Sequence, residues 1–176
     1  MFGTRRATLT LAALAGASAI LAPTASAAHV DGTSSADYRA GTPAADVIDG
    51  RSGSDMLLGR AGWDTLLGGA GNDDLYGNTG RDALWGEAGD DELFGGAGRD
   101  RLFGGPGDDR LYGDDGPDVL WAGEGADRLL GGAGNDELHA EAADGVVDVV
   151  DCGLGDDVAY VNTYDIVRGC ERVVRG

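Results

Sequence analysis

Eleven aspartates recur at nine-residue intervals: Asp46, Asp55, Asp64, Asp73, Asp82, Asp91, Asp100, Asp109, Asp118, Asp127 and Asp136. Carboxylates in quantity can do two kinds of chemistry. In pairs they move protons. In company with carbonyl oxygens they hold a hard cation such as Ca²⁺, which accepts irregular oxygen geometry. Their even spacing points to the cation. Aspartate also serves as a turn residue that bonds its own backbone, but a turn does not demand Asp every time at one position.

The elements that must position these carboxylates repeat with them. Residues 41–139 contain eleven nine-residue units without insertion, as in Gly68-Gly69-Ala70-Gly71-Asn72-Asp73-Asp74-Leu75-Tyr76. Counted from the first Gly, position 6 is always Asp and position 8 is Leu except for Ile48. Position 1 is Gly except for Ala122, and position 4 is Gly except for Ala44. Gly at positions 1, 2 and 4 permits positive φ and close backbone approach, as a tight turn requires. Positions 7 to 9 then form a strand of about three residues whose position-8 side chain faces inward while 7 and 9 face out. Two units make one coil. Coils stacked at the parallel-strand spacing give a solenoid about 26 Å long. Its core is two facing ladders, one running Leu66, Leu84, Leu102, Leu120, Leu138 and the other Leu57, Leu75, Leu93, Leu111, Leu129. Stacking also sets each Asp over the one eighteen residues away. Such a column is self-repelling unless cations lie within it.

The pattern Gly-Gly-x-Gly-x-Asp-x-Leu-x resembles the repeats-in-toxin, or haemolysin-type, calcium-binding nonapeptide. The resemblance covers somewhat over half the chain. It implies an all-β, right-handed parallel β-roll with calcium ions between stacked turns. The ligands would be the position-6 aspartates and turn carbonyls of Gly50, Gly59, Gly68, Gly77, Gly86, Gly95, Gly104 and Gly113. Eleven turns, each bridging to the one two units on, allow at most nine such sites. At millimolar calcium and extracellular affinities each site adds about 0.4–1.4 kcal/mol, so nine add about 4–12 kcal/mol, comparable to the whole stability of a domain. Calcium is therefore expected to make the fold rather than decorate it.

Composition fits an exported acidic protein. The 176 residues carry 31 acids and 13 basic residues, all Arg, for a net charge of −18. That balance argues against nucleic acid and anionic membrane surfaces as partners. Arg5 and Arg6, the apolar stretch from Ala7 to Ala22 and the small-x-small triplet Ala25-Ser26-Ala27 read as a cleaved signal peptide over residues 1–27. The mature chain would begin at Ala28, a secreted bacterial protein with no stable membrane insertion. The general secretory and twin-arginine routes both stay open. Cleavage removes two Arg and no acids, taking the charge from −18 to −20.

Residues 28–40 read as a lead-in covering the first coil. Position 9 carries apolar stripes: Leu67, Trp85, Phe103, Trp121 on one wall and Leu58, Tyr76, Phe94, Tyr112, Leu130 on the other. They are either a docking surface for an extracellular glycan or protein, or neighbours that stack on one another. After His139 the register slips by three residues. Two degenerate units, with Asp148 and Asp157 at position 6, then lead into an apolar tail, so residues 140–176 read as a C-terminal cap. Cys152 and Cys170, the only cysteines, are expected to form a disulfide in an exported chain.

Enzyme signatures are missing. There is no His-Glu-x-x-His and no Lys for a phosphate loop, and Gly50-Arg51-Ser52-Gly53-Ser54 is a poor match to a nucleophile elbow. Nor do positions 7 and 9 carry the Thr or Asn arrays of an ice-binding face. The reading is a non-enzymatic, secreted calcium-binding protein whose roll folds on binding calcium. A calcium-dependent adhesin or matrix module acting through the aromatic stripes is the alternative, and an accessory module of an enzyme a more distant one.

Overall fold

The computed structural model describes residues 26–176. The signal-peptide stretch from Arg5 to Ala22 lies outside them. Seventeen parallel strands alternate between two sheets, with no helix among the described residues. The odd-numbered strands, from β1 (His29–Asp31) to β17 (Arg172–Arg175), form one nine-stranded sheet. The even-numbered strands, from β2 (Tyr38–Ala40) to β16 (Ile166–Arg168), form the other, of eight strands. Each strand pairs with the one a full coil away, so Leu66 meets Leu84 and Leu57 meets Leu75. The result is a β-solenoid of about eight turns, the expected parallel β-roll.

The two ladders of position-8 side chains are the core. Ile48 and the ten leucines from Leu57 to Leu138 are fully buried, and Val150 and Ala159 continue the ladders beyond the regular repeats. In the regular units the second inward position of each strand is Gly, so one Leu per strand fills each wall; Ala122, Ala140, Cys152 and Val161 add a second buried side chain toward the C-terminal end.

Three features differ from the sequence-based expectation. The strands are longer than three residues: β5 (Thr65–Ala70) and β7 (Ala83–Ala88) run from position 7 through position 3 of the next unit. Ladder hydrogen bonds come from the main chain, so the glycine segment pairs as well as the Leu segment; Gly50 N donates to Leu67 O at 2.8 Å and Ala70 N to Arg51 O at 2.9 Å. Secondly, residues 28–40 do not lie across the first coil but add one, with β1 pairing to β3 (Val47–Asp49) and β2 to β4 (Met56–Gly62). Thirdly, the tail adds coils of its own through β16 and β17, so with the lead-in and the degenerate units the nine strands reach about 38 Å, of which the eleven regular units account for the expected 26 Å.

The three-residue slip after β13 (Glu137–Ala140) is absorbed in a loop. Asp144 holds that loop by accepting from Gly125 N at 2.8 Å and Val146 N at 2.9 Å. Pairing resumes in register, Arg128 with Val149. Cys152 and Cys170 are joined by a disulfide, with Cα atoms 5.1 Å apart and a sequence separation of 18. It ties the last coil to the one before it.

Candidate metal centre

The position-6 aspartates are held alike. All eleven are at most 3 % exposed. From Asp55 on, the Oδ1 atom of each accepts the amide of the aspartate one coil earlier: Asp73 from Asp55 at 2.7 Å, Asp91 from Asp73 at 2.8 Å, Asp109 from Asp91 at 2.8 Å. The other row runs through Asp64, Asp82, Asp100, Asp118 and Asp136 in the same way. The backbone carbonyl of each aspartate in turn accepts the position-7 amide of the next coil, as Asp46 O does from Thr65 N at 2.9 Å. Each carboxylate is thus fixed by its own backbone and by its neighbour's.

The second carboxylate oxygen is left without a donor. Oδ2 of Asp55, Asp64, Asp73, Asp82, Asp91, Asp100, Asp109, Asp118, Asp127, Asp136 and Asp157 is buried and makes no hydrogen bond. A buried acceptor in this state costs about 1–3 kcal/mol, and more when charged. Eleven such atoms along the two rows mark a requirement of the fold that the protein's own donors do not meet.

Main-chain oxygens face the same space. A methyl group added at Gly68 would lie 2.6 Å from Asp73 Oδ2 and 2.7 Å from the carbonyl oxygen of Gly86, so both oxygens point at the spot beside the Gly68 Cα. The same convergence recurs at Gly77 with Asp82 Oδ2 and Gly95 O, and at Gly95 with Asp100 Oδ2 and Gly113 O. Position 1 is therefore Gly to leave room for oxygens, not to reach positive φ. Positive φ falls at positions 2 and 4, as at Gly69 (107°) and Gly71 (136°). Among the described residues no three His, Cys, Asp or Glu side chains converge on one point. The donors offered to a cation are one carboxylate oxygen per turn plus carbonyls, an all-oxygen set suited to a hard ion.

Without metal, burial pushes the ten carboxyls from Asp55 to Asp136 up from the ordinary 3.8. Asp64, Asp91 and Asp127 reach about 7 and Asp118 about 8, with amide donors pulling back and neighbouring carboxylates adding to the rise. Asp73, Asp100, Asp109 and Asp136 reach about 6 for the same leading reason.

Asp46 stands apart from its ten successors. Both its oxygens have donors: Ala28 N on Oδ1, and on Oδ2 the amide and hydroxyl of Thr42, at 2.5 and 3.1 Å. The rows also extend past the regular repeats. Asp127 N donates to Asp148 at 2.9 Å, Asp136 N to Asp157 at 2.8 Å, and Asp148 N to Asp165 at 3.1 Å. At the other end Asp37 N donates to Asp55 at 2.7 Å. Sequence reading missed Asp37 and Asp165. The five-residue step from Gly32 to Asp37 was a signal for the first, masked by Arg39 in the place of Leu.

The position-9 aromatics stack face to face. Trp85, Phe103, Trp121, His139 and Tyr160 follow one another at centroid distances of 5.2, 4.4, 5.4 and 4.7 Å. Tyr76, Phe94 and Tyr112 do the same at 4.8 and 4.7 Å. Each inner ring has both faces covered by its neighbours, so the stripes present edges, not the open faces on which a sugar ring would stack.

A parallel solenoid with two rows of fixed carboxylates and carbonyls between its coils defines a metal-binding repeat protein. The model of the RTX calcium-binding nonapeptide repeat matches residues 40–75, 67–102 and 103–138. The chain belongs to this family, and it is a calcium-binding repeat protein. A search of curated proteins finds no match.

Proposed function

We propose that the chain is exported and that calcium, bound between its stacked turns, is what allows the roll to form. The observation that carries this reading is the register of orphaned Oδ2 atoms. Each would ligate an ion together with the carbonyls converging on it, such as Gly86 O beside Asp73. A bound dication neutralises carboxylates that otherwise repel along each row. It also supplies the partner that the buried oxygens lack. Asp46, whose Oδ2 is engaged by Thr42, would contribute least. The protein acts as a binding or structural module, not as an enzyme.

The test is calorimetric titration of calcium into the mature chain and into Asp100→Asn. Asparagine keeps the acceptor for Asp82 N but loses the charge. The expected result is several ions bound by the parent and fewer by the variant, with a folding midpoint at higher calcium. Equal stoichiometry and midpoint in the two chains would remove Asp100 from the site.

A further inference from the structure

We propose that hydrolysis of the Ala27–Ala28 bond closes one end of the ladder with an ion pair, between the new α-ammonium of Ala28 and the Asp46 carboxylate. This rests on the export reading above. In that step a peptidase adds water across the amide. The carboxylate stays on Ala27, and the amine left on Ala28 takes up a proton.

Three observations carry the proposal. First, Ala28 occupies a position-6 slot without being an aspartate. Its carbonyl accepts Val47 N at 2.9 Å, as Asp46 O accepts Thr65 N. Its nitrogen lies 2.5 Å from Asp46 Oδ1, in the place where Asp46 N meets Asp64. Second, the bond read from sequence as the cleavage point, after Ala25-Ser26-Ala27, is the one whose nitrogen sits in that slot. Third, the other row already ends on a fixed cation. Asp37, its first carboxylate, pairs with Arg39 Nη2 at 2.9 Å and accepts Thr33 N at 2.6 Å. The row through Asp46 has no arginine in the matching place, where Val30 stands. An ammonium at Ala28 supplies the missing charge, and a charge-assisted bond is roughly twice as strong as the amide bond it replaces. Asp46, with both oxygens engaged by the protein, then needs no calcium.

The chain contains no lysine, so after cleavage the α-amine is its only primary amine. The full chain is expressed with its leader, and the exported product is sequenced from its N-terminus. It is then treated with an acetylating reagent in calcium and in chelator, with circular dichroism in parallel. The expected product begins at Ala28, and its amine reacts more than about tenfold more slowly in the folded state. Asp46→Asn, or a Gly-Ser pair inserted after Ala27, restores fast acetylation in calcium while leaving the β signal. A product starting elsewhere, or an amine equally reactive in folded and unfolded chains, overturns the ion pair. A chain that is folded in chelator would sink the calcium reading instead. Amine protection would then be read in that folded state, where it still decides the proposal.

Discussion

At the scale of residues, the repeat assigns each glycine a different job. Position 1 makes room for oxygens, while positions 2 and 4 hold positive φ. Position 4 is the stricter. A methyl at Gly71 would strike the Gly53 carbonyl of the coil beside it, at a φ of 136° that L-residues avoid. Gly71→Ala is expected to cost more than about 3 kcal/mol. Position 2 is looser, and Arg51, Arg60, Asn78, Glu87 and Asp114 all occupy it at φ between 69° and 82°. Glu87→Gly should therefore stabilise the calcium-loaded chain by up to about 1 kcal/mol. Thermal unfolding in saturating calcium checks both, and opposite signs are required. The role of position 1 was not legible in the sequence, because Gly looks the same whether it serves φ or space. The fixed position of Asp was legible, because a metal ladder tolerates no substitution that a plain turn would accept.

At the scale of elements, the strands are held by backbone pairing and by the column of side chains on each face. Their inner column was readable from Leu at position 8. Their true length was not, because glycines that look like a turn can still pair through main-chain groups. The outer aromatic column could be read two ways, and the ring distances favour mutual stacking. Phe103, between Trp85 and Trp121, has the most to lose. Phe103→Ala should lower stability by about 1–3 kcal/mol without changing the number of calcium ions bound. Unfolding and calorimetry on the same variant separate the two effects. A drop in ion number would mean that the stripe helps to shape the turns. The end coils were the hardest elements to read. Residues 28–40 lack the Gly at position 4, and the last units lose their glycines, yet β1, β2, β16 and β17 pair as coils because the neighbouring ladder offers free edges.

At the scale of the whole molecule, a net charge of −18 is concentrated around two buried rows of carboxylates. In metal-free protein, burial raises eight of the regular-repeat carboxyls from 3.8 to about 6 to 8. A carboxyl whose folded value is raised favours the folded state below its unfolded value, and that contribution is lost as pH rises through the folded value. In chelator the roll should therefore gain structure as pH falls from about 8 to below about 4, when protonated Oδ2 atoms become donors to nearby carbonyls. Calcium and protons compete for the same oxygens, so calcium affinity should weaken over that range. A β signal in chelator that is flat with pH would speak against a burial-strained ladder.

The most direct measurement of the central claim is far-ultraviolet circular dichroism of the exported chain at neutral pH. It is taken first in excess chelator and then through a calcium titration. The expected result is a largely unfolded spectrum in chelator and a cooperative rise to full β signal as calcium is added. A compact, cooperatively melting β protein in chelator, indifferent to millimolar calcium, would contradict it.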